Sequence, residues 1–351
     1  MKNRDWQREI YAALPKQLLP WYRANRRDLP WRRDREPYHV LVSEIMLQQT
    51  RVETVRGYYL RFLDRLPDVQ ALAACPQEEL LKLWEGLGYY SRVRNLQKAA
   101  QAVVASGGKF PDTYDELLKL PGVGPYTAGA IASICFERAC AAVDGNVLRV
   151  CARVTGCDAP IDAPQTKKSV AAQLEAVYPQ GACGDFTQAL MELGATVCTP
   201  RSPDCANCPM GACCVARAQG LTAALPVKLP KREKRVEQHT VLLLRCGEKI
   251  ALCRRAQDGL LSGLWQLPNV SGTLTAAAAL EQVQRYGIIP DAVQRKMERV
   301  HIFTHIRWEM TCYEIACRNT GGDFEWAMPE EVQARYALPT AFRMFLQEPS
   351  V

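Results

Sequence analysis

Apolar residues recur at helical spacing along most of the first two hundred residues of the chain. The span 40–66 is a long helical pattern, in which Leu41, Ile45, Val52 and Val55 fall on one face. Residues 79–105 predict two helices separated at Gly86–Gly88, and residues 167–197 predict two more. The first part of the chain is therefore expected to be mainly α-helical.

A different pattern begins near His239. The run QHTVLLLRCGEKIALCRR predicts a β-hairpin whose turn lies at residues 246–249. An alanine-rich helix is expected at 274–286, and the later run RVHIFTHIRWEMTCYEIAC is strand-like. Residues 239–351 are therefore expected to form an α+β domain.

A glycine-rich turn between two helical segments lies at residues 120–146. Residues 112–120 predict a short helix behind an Asp112 or Thr113 cap, and 126–136 predict a second, apolar helix. Between them, PGVGP cannot continue a helix, because proline lacks an N–H donor and glycine favours turns. Such a hairpin directs backbone N–H groups at one point, which suits a phosphate oxygen, and Asp144 follows it closely. An ordinary turn between two core helices is the other interpretation of this pattern.

Length and charge limit the classes of function. The 351 residues predict about two domains, and 44 basic against 37 acidic residues give a formal charge of +7, which is compatible with a polyanionic partner. The first residues are charged and contain no uninterrupted apolar run, so no signal peptide is expected. No segment approaches the length of a membrane span. We therefore expect a cytosolic protein.

Cysteines fall into two groups. Eleven of the fifteen are scattered through apolar surroundings, as expected of reduced thiols in a cytosolic protein. The other four lie within seventeen residues and have the spacing Cys198-x6-Cys205-x2-Cys208-x5-Cys214. Because disulfides are rare in that compartment, this loop predicts a metal site. Spacing alone favours structural zinc at least as much as an iron–sulfur cluster, and Cys213 could replace Cys214.

Several side chains have both a functional and an ordinary interpretation. Six arginines between residues 23 and 35 flank Trp31, as in a phosphate-binding surface or a solvated basic loop. Glu44 lies among apolar residues, where its neutral form is favoured and it could act as a general acid, or it could simply pair with an arginine. Tyr89 could enter a duplex or pack in the core, and Gln188 could read adenine or face solvent.

The segments LPGVGPYTAGAI and VDGNVLRV resemble the helix-hairpin-helix and catalytic aspartate of the DNA glycosylase superfamily that includes endonuclease III. They are most similar to the adenine DNA glycosylase (MutY) branch, and the resemblance extends over about residues 5–345. It implies a mainly α-helical helix-hairpin-helix glycosylase domain with an Fe–S loop at 198–214. It also implies a [4Fe–4S] cluster on Cys198, Cys205, Cys208 and Cys214.

The resemblance also implies roles for individual residues. Glu44, in SEIMLQQT, matches the catalytic acid, Asp144 the residue that stabilises the sugar cation, and Tyr126 a residue that assists it. DNA contacts fall on the hairpin, on gap-filling side chains and on the base pocket: Gly122, Gly124, Gln48, Tyr89, Arg27, Trp31, Arg32 and Gln188.

The C-terminal part resembles the Nudix-like domain of the same family. It lacks the REx2EExG carboxylates with which a pyrophosphate hydrolase holds metal ions, so it is expected to recognise a ligand rather than cleave one. Phe303, Thr304 and His305 match the segment that recognises 8-oxoguanine, with threonine in place of the commoner serine.

The sequence therefore predicts a monofunctional base-excision-repair glycosylase that removes adenine mispaired with 8-oxoguanine or guanine in double-stranded DNA. The expected organisation is a glycosylase domain at 1–216, a linker at 217–238 and the Nudix-like domain at 239–351. We expect a monomer without membrane association, located in the bacterial cytoplasm and at the nucleoid when bound to DNA. A bifunctional glycosylase/lyase resembling endonuclease III is one alternative, which Tyr126 argues against because lyase chemistry needs an amine at this position. A non-catalytic DNA-damage binding protein is the other.

Overall fold

The computed structural model of the protein describes residues 2–230, 233–256 and 258–347, with side chains from residue 6 onward. The chain forms two compact units. One contains the chain up to Ala74 together with Arg94–Pro230, and the other contains Cys75–Val93 together with the chain after residue 230. The domain boundaries expected from the sequence remain a prediction.

Residues 2–218 are mainly α-helical, as predicted. Within this described part of the chain, a 3₁₀ turn lies between the first two α-helices, at Pro30–Arg32. In chain order the helices are α1 (Lys2–Asn25), α2 (Pro37–Leu47), α3 (Val52–Arg65), α4 (Val69–Ala74), α5 (Gln77–Leu83), α6 (Ser91–Ala105), α7 (Tyr114–Leu117), α8 (Pro125–Phe136), α9 (Gly145–Thr155), α10 (Pro164–Glu175), α11 (Cys183–Thr196) and α12 (Val215–Ala218).

The long helical pattern at 40–66 is two helices rather than one. Helix α2 ends at Leu47 and α3 begins at Val52, and Gln49 between them has a φ of 59°, in the left-handed region. The break contains no glycine or proline, and the apolar spacing continues across it, so periodicity could not reveal it. Gln48 is thereby placed at the end of α2 instead of inside a helix.

Small residues allow the helices around the hairpin to pack closely. A Cβ atom at Gly129 on α8 would lie 2.3 Å from the carbonyl oxygen of Ala141, so only glycine fits there. Thr113 caps the short helix α7 by accepting from the Glu116 N–H. Tyr126 of α8 and Asp144, which is the N-cap residue of α9, line the same cavity.

The second unit contains a mixed β-sheet. Its described elements after residue 230 are β1 (Arg235–Cys246), β2 (Lys249–Arg254), β3 (Trp265–Gln266), β4 (Asn269–Ser271), α13 (Ala276–Arg285), β5 (Pro290–Ile302), β6 (Ile306–Cys317), β7 (Glu325–Ala327), α14 (Pro329–Arg335) and α15 (Thr340–Arg343). The strand order is β3-β2-β1-β6-β5, in which β1 and β6 are parallel and the other pairs are antiparallel. The short strand β4 pairs with β1, and the short strand β7 pairs with β2.

Both faces of this sheet are covered, which explains the imperfect alternation in the sequence of β1. Val241 and Leu243 pack in one apolar cluster with Phe342 of α15. Leu242 and Leu244 point to the opposite face and pack with residues of α13. A strand buried on both sides has a continuous apolar sequence instead of an alternating one.

Residues 75–93 pack with the C-terminal part of the chain. The Lys82 ammonium donates to the carbonyl oxygen of Tyr336 at 3.1 Å, and the Leu338 N–H donates to Glu85 at 2.8 Å. Arg254 and Glu78 form an ion pair in the same unit. Tyr89 therefore belongs to the unit that carries the sheet.

The segment expected to be a linker, 217–238, is ordered over much of its length. The Leu225 carbonyl accepts from Arg153 at 2.9 Å, and the Val227 carbonyl accepts from the Ile161 N–H at 3.0 Å. At the other end, β1 already begins at Arg235. Residues 231 and 232 of this segment lie outside the described residues.

Candidate active site and nucleic-acid interface

A cavity of about 480 Å³ opens between α2, α8, α9 and α11 and the loop that precedes α2. Its size is in the range of sites for small organic groups such as a nucleobase. Eight side chains singled out in the sequence line it: Arg27, Trp31, Arg32, Glu44, Gln48, Tyr126, Asp144 and Gln188.

Glu44 is the acid buried at the centre of this cavity. It lies on α2 with 6% of its surface exposed, and Tyr126 at the start of α8 donates a hydrogen bond to its Oε2 atom. Burial raises the pKa of Glu44 to about 7, the Asp144 charge adds to the rise, and the Tyr126 hydrogen bond opposes it. Glu44 can therefore carry a proton near neutral pH, as a general acid must.

Asp144 is held by the first turn of α9. Its carboxylate accepts from the Val147 N–H at 2.7 Å and from the Asn146 amide at 2.8 Å. Burial raises the pKa of Asp144, and these two hydrogen bonds oppose the rise because they favour the charged form. The aspartate thus serves both as a helix cap and as a negative charge directed at the cavity.

Asn146 connects Asp144 to an arginine network below the cavity. Arg149 donates to the Asn146 side-chain oxygen at 2.8 Å and to the Cys198 carbonyl at 2.8 Å. Gly194 makes room for this arrangement, since a Cβ atom there would lie 2.6 Å from the Asn146 Cβ. The aspartate and the start of the cysteine loop are therefore linked by consecutive hydrogen bonds.

Glu192 forms ion pairs with the two arginines, Arg27 and Arg32, that line the cavity. Arg27 forms two side-chain hydrogen bonds with its carboxylate, each 2.8 Å long, and Arg32 adds a third at 2.8 Å. Burial alone would raise the pKa of Glu192, but the bonds from Arg27 and Arg32 outweigh it and lower the pKa to about 2. Glu192 consequently stays ionised at neutral pH.

Two glutamines offer amide groups to the cavity. Gln188 lies one turn before Glu192 on α11, and its Oε1 atom accepts from the Tyr22 hydroxyl at 3.1 Å. Since a carbonyl oxygen has two lone pairs, one remains for a ligand. Gln48 enters from the end of α2.

The four cysteines of the loop line a separate small cavity. Cys198, Cys205, Cys208 and Cys214 all border it, together with Arg153. Arg153 is 2% exposed and donates to the Cys198 sulfur at 3.4 Å, which suits a sulfur that carries negative charge. Cys213 is not among the residues that line this cavity, and its thiol lies near the Met210 carbonyl. Among the described residues, no three His, Cys, Asp or Glu side chains converge as around a single metal ion.

A four-iron cluster occupies a volume rather than a point, so its four thiolates must surround a space, as the four cysteines of this loop do. Every cysteine in the chain is a free thiol. The donor set therefore fits an iron–sulfur cluster, and Cys214 rather than Cys213 is among the cysteines that line the cavity.

The hairpin glycines lie at the beginning of α8. Gly122 has a φ of 75°, and a Cβ atom there would lie 2.5 Å from the Asn95 Cβ, so this position requires glycine. Gly124 is the N-cap of α8, where Pro125 follows and the first backbone N–H groups of the helix are directed outward. This geometry is suited to a phosphate oxygen.

Phe303, Thr304 and His305 connect β5 to β6 in the second unit. The Phe303 N–H donates to the Ile306 carbonyl at 2.8 Å and closes the turn. Thr304 shares a hydrogen bond of 2.8 Å with the hydroxyl of Tyr89, which is 46% exposed and has a φ of 48°. We call residues 303–305 the reading turn.

Comparison with known proteins agrees with this geometry. Residues 42–180 match the family model described as HhH-GPD superfamily base excision DNA repair protein, and residues 239–348 match a NUDIX domain model. The adenine DNA glycosylase of Rattus norvegicus is 38% identical over 368 residues, covering 87% of this chain and 70% of the relative. The corresponding Homo sapiens protein is 38% identical and covers 85% of this chain and 66% of the relative.

The chain belongs to the adenine DNA glycosylase family.

Among solved structures, a thermostable thymine-DNA glycosylase matches this adenine DNA glycosylase with a TM-score of 0.54 and 30% identity, over 61% of this chain and 97% of that one. The predicted family, the fold class and the enzyme class are thereby confirmed. The protein is a DNA glycosylase of base excision repair. No described helix is both long and apolar enough to cross a membrane.

The functional candidates of this chain fall into four places: the cavity, the hairpin glycines, the cysteine loop, and Tyr89 with the reading turn. The sequence analysis missed Tyr22, Asn146, Arg149 and Glu192. Two signals could have found some of them. Glu192 is four residues after Gln188 and so shares its helix face, and Asn146 lies two residues after Asp144 in the same turn.

Proposed function

We propose that this adenine DNA glycosylase hydrolyses the N-glycosidic bond of adenine paired with 8-oxoguanine or guanine in duplex DNA, without cleaving the strand. The single observation that carries the mechanism is the buried Glu44, whose pKa is raised to about 7 at the centre of the cavity. A leaving adenine must depart neutral, and Glu44 is placed to protonate its N7 atom.

Asp144 acts on the sugar. As the C–N bond breaks, the sugar acquires oxocarbenium character, and a carboxylate within the cavity stabilises that charge electrostatically or captures it covalently. Val147 and Asn146 hold this carboxylate in place. Water then adds to the sugar through its oxygen atom, and the proton that it releases returns to the Glu44 carboxylate, which balances the proton given to the base.

Recognition of adenine falls to the polar groups around the acid. If the N7 lone pair receives the Glu44 proton, Gln188 cannot also donate to it, so we assign the free lone pair of Gln188 Oε1 to the adenine N6 amino group. The ion cluster of Arg27, Arg32 and Glu192 lines the same cavity. Trp31 lines it as well.

The base must leave the duplex to reach this cavity. We assign Tyr89 and Gln48 to the gap that it leaves, and the outward N–H groups after Gly122 and Gly124 to a backbone phosphate. The reading turn contacts 8-oxoguanine, with the Thr304 hydroxyl as its polar group.

Tyr126 supports the monofunctional assignment. A Schiff base with the sugar needs an amine, and this position at the start of α8 carries a phenol bonded to Glu44. A tyrosine can orient the acid but cannot form the imine on which strand cleavage depends.

A [4Fe–4S] cluster on Cys198, Cys205, Cys208 and Cys214 would be held by four thiolates and would fix the loop that ends the helical unit. Arg153 orients the Cys198 sulfur, and Arg149 ties the Cys198 carbonyl to the Asn146 turn. The proposed organisation is a glycosylase domain at 1–216, a linker at 217–238 and a reading domain at 239–351, acting as a monomer in the bacterial cytoplasm.

The test is a single-turnover reaction with a duplex that contains adenine opposite 8-oxoguanine, resolved on a gel with and without alkali. Bands that need alkali support base excision without lyase activity. Bands without alkali favour the bifunctional alternative. Binding without any bands would leave the non-catalytic damage-binding alternative.

A further inference from the structure

Each of the three residues of the reading turn forms a hydrogen bond with a residue outside the turn. Thr304 bonds to the Tyr89 hydroxyl at 2.8 Å through its side chain. The Phe303 carbonyl accepts from the Lys234 ammonium at 2.7 Å, and the His305 carbonyl accepts from the Arg235 N–H at 3.0 Å. The last residue before β1 and the first residue of β1 thus contact the turn on the two sides of Thr304.

Aromatic rings pack beneath the same turn. The Phe303 ring lies 4.9 Å from that of Trp308 and 4.5 Å from that of His301, both edge-on. Trp308 in turn donates to Glu237 on β1 at 2.8 Å. The Phe303 side chain is therefore fixed by packing, whereas its carbonyl depends on Lys234 for its position.

We propose that Lys234 is a positioning residue for damage recognition, which holds the reading turn in the conformation that distinguishes 8-oxoguanine from guanine. This inference rests on the proposed role of the turn. A lysine in a basic segment more commonly contacts a DNA phosphate, which strengthens binding to every duplex alike. A lysine bonded to the turn instead affects only the duplex whose damaged base the turn contacts.

The test compares the dissociation constants of the full-length protein for two duplexes. Both contain an adenine nucleotide that resists excision, opposite 8-oxoguanine in one and guanine in the other. Lys234→Met keeps the length of the side chain and removes its charge and its donors. We expect it to reduce the preference for the 8-oxoguanine duplex about fivefold, the effect of losing one hydrogen bond of typical net strength.

Two further variants make the measurement specific. Lys234→Arg retains a donor and should keep the preference. Lys228→Met removes the same charge from an exposed lysine of the same connecting segment, and should leave the preference unchanged. If Lys234→Met weakens both duplexes equally and lowers the salt dependence of binding by about one ion, Lys234 is a phosphate contact and the inference is wrong.

Thr304→Ala separates this inference from the proposed function. If Thr304→Ala reduces the preference and Lys234→Met does not, only the role of Lys234 fails. If Thr304→Ala leaves the preference intact, the reading role of the turn fails, and the inference fails with it. Both single variants are expected to reduce the preference. If Lys234 acts through the turn, the double variant should then discriminate between the two duplexes no worse than Thr304→Ala alone. Additive losses of preference would contradict the inference.

Discussion

The phenol of Tyr126 donates a hydrogen bond to the carboxylate of Glu44, although 82 residues separate them in the chain. Burial raises the pKa of the phenol well above its ordinary value, so Tyr126 remains a donor at any physiological pH. The same bond favours the ionised form of Glu44 and partly offsets the effect of burial. The balance of these two influences leaves the pKa of the acid near neutrality.

The first prediction concerns the pH dependence of excision. The pKa of Glu44 is raised from 4.5 to about 7, so the acid is largely protonated below pH 7 and loses its proton above it. The single-turnover rate constant should therefore fall as the pH rises through about 7. At acidic pH the rate should fall again when Asp144, whose pKa is also raised by burial, becomes neutral. A rate constant that does not fall between about pH 6 and pH 9 would contradict the assignment of Glu44, and a profile without an acidic limb would contradict that of Asp144.

A second prediction concerns Tyr126→Phe. Because the hydrogen bond from Tyr126 lowers the pKa of Glu44, its loss should raise that pKa and move the alkaline limb of the rate profile to higher pH. Tyr22→Phe removes a tyrosine hydroxyl that donates to Gln188 in the same cavity, and it should leave the limb in place. An unchanged limb in Tyr126→Phe would show that this bond does not set the acidity of Glu44.

The third prediction uses neighbouring cysteines as a matched pair. Cys214→Ser removes a thiol from the cavity of the cysteine loop, and we expect the purified variant to lose iron, visible absorbance and thermal stability. Cys213→Ser changes a neighbouring thiol that does not line this cavity, and its iron content should equal that of the unchanged protein. Iron analysis of both variants decides the assignment, and equal loss in the two would refute it.

A fourth prediction concerns the strand-cleavage chemistry. Borohydride reduction in the presence of abasic DNA traps a Schiff base as a covalent complex, and this protein should give almost none because Tyr126 has no amine. Efficient trapping would mean that another lysine serves as nucleophile. The enzyme would then be bifunctional.

Much of the active site could be predicted from the sequence because its local signals are strong. A glycine-rich turn between apolar helices, a glutamate inside an apolar run and an aspartate at a helix start each have a local cause. The residues that hold these groups in place have no such local signal in the sequence. Glu192 contacts Arg27 across 165 positions of the chain, and Arg149 reaches Cys198 across 49, so no local pattern reveals either pair.

Segment 75–93 shows another limit of sequence reasoning. Its apolar spacing identified the helices, but nothing in that spacing indicated that Lys82 and Glu85 bond to the backbone of residues 336–338. One consequence is practical. Deleting residues 239–351 would remove the partners of the Tyr89 segment as well as the reading turn, so point variants such as Thr304→Ala test recognition more cleanly.

The most direct test of the mechanism is the single-turnover rate of Glu44→Gln on a duplex with adenine opposite 8-oxoguanine, measured alongside its dissociation constant. Glutamine keeps the shape and an acceptor for the Tyr126 hydrogen bond but has no acidic proton. We predict a loss of about 10²- to 10⁴-fold in the excision rate, the usual contribution of general acid catalysis, with binding nearly unchanged. Excision at the unaltered rate would contradict the assignment of Glu44 as the acid that releases adenine.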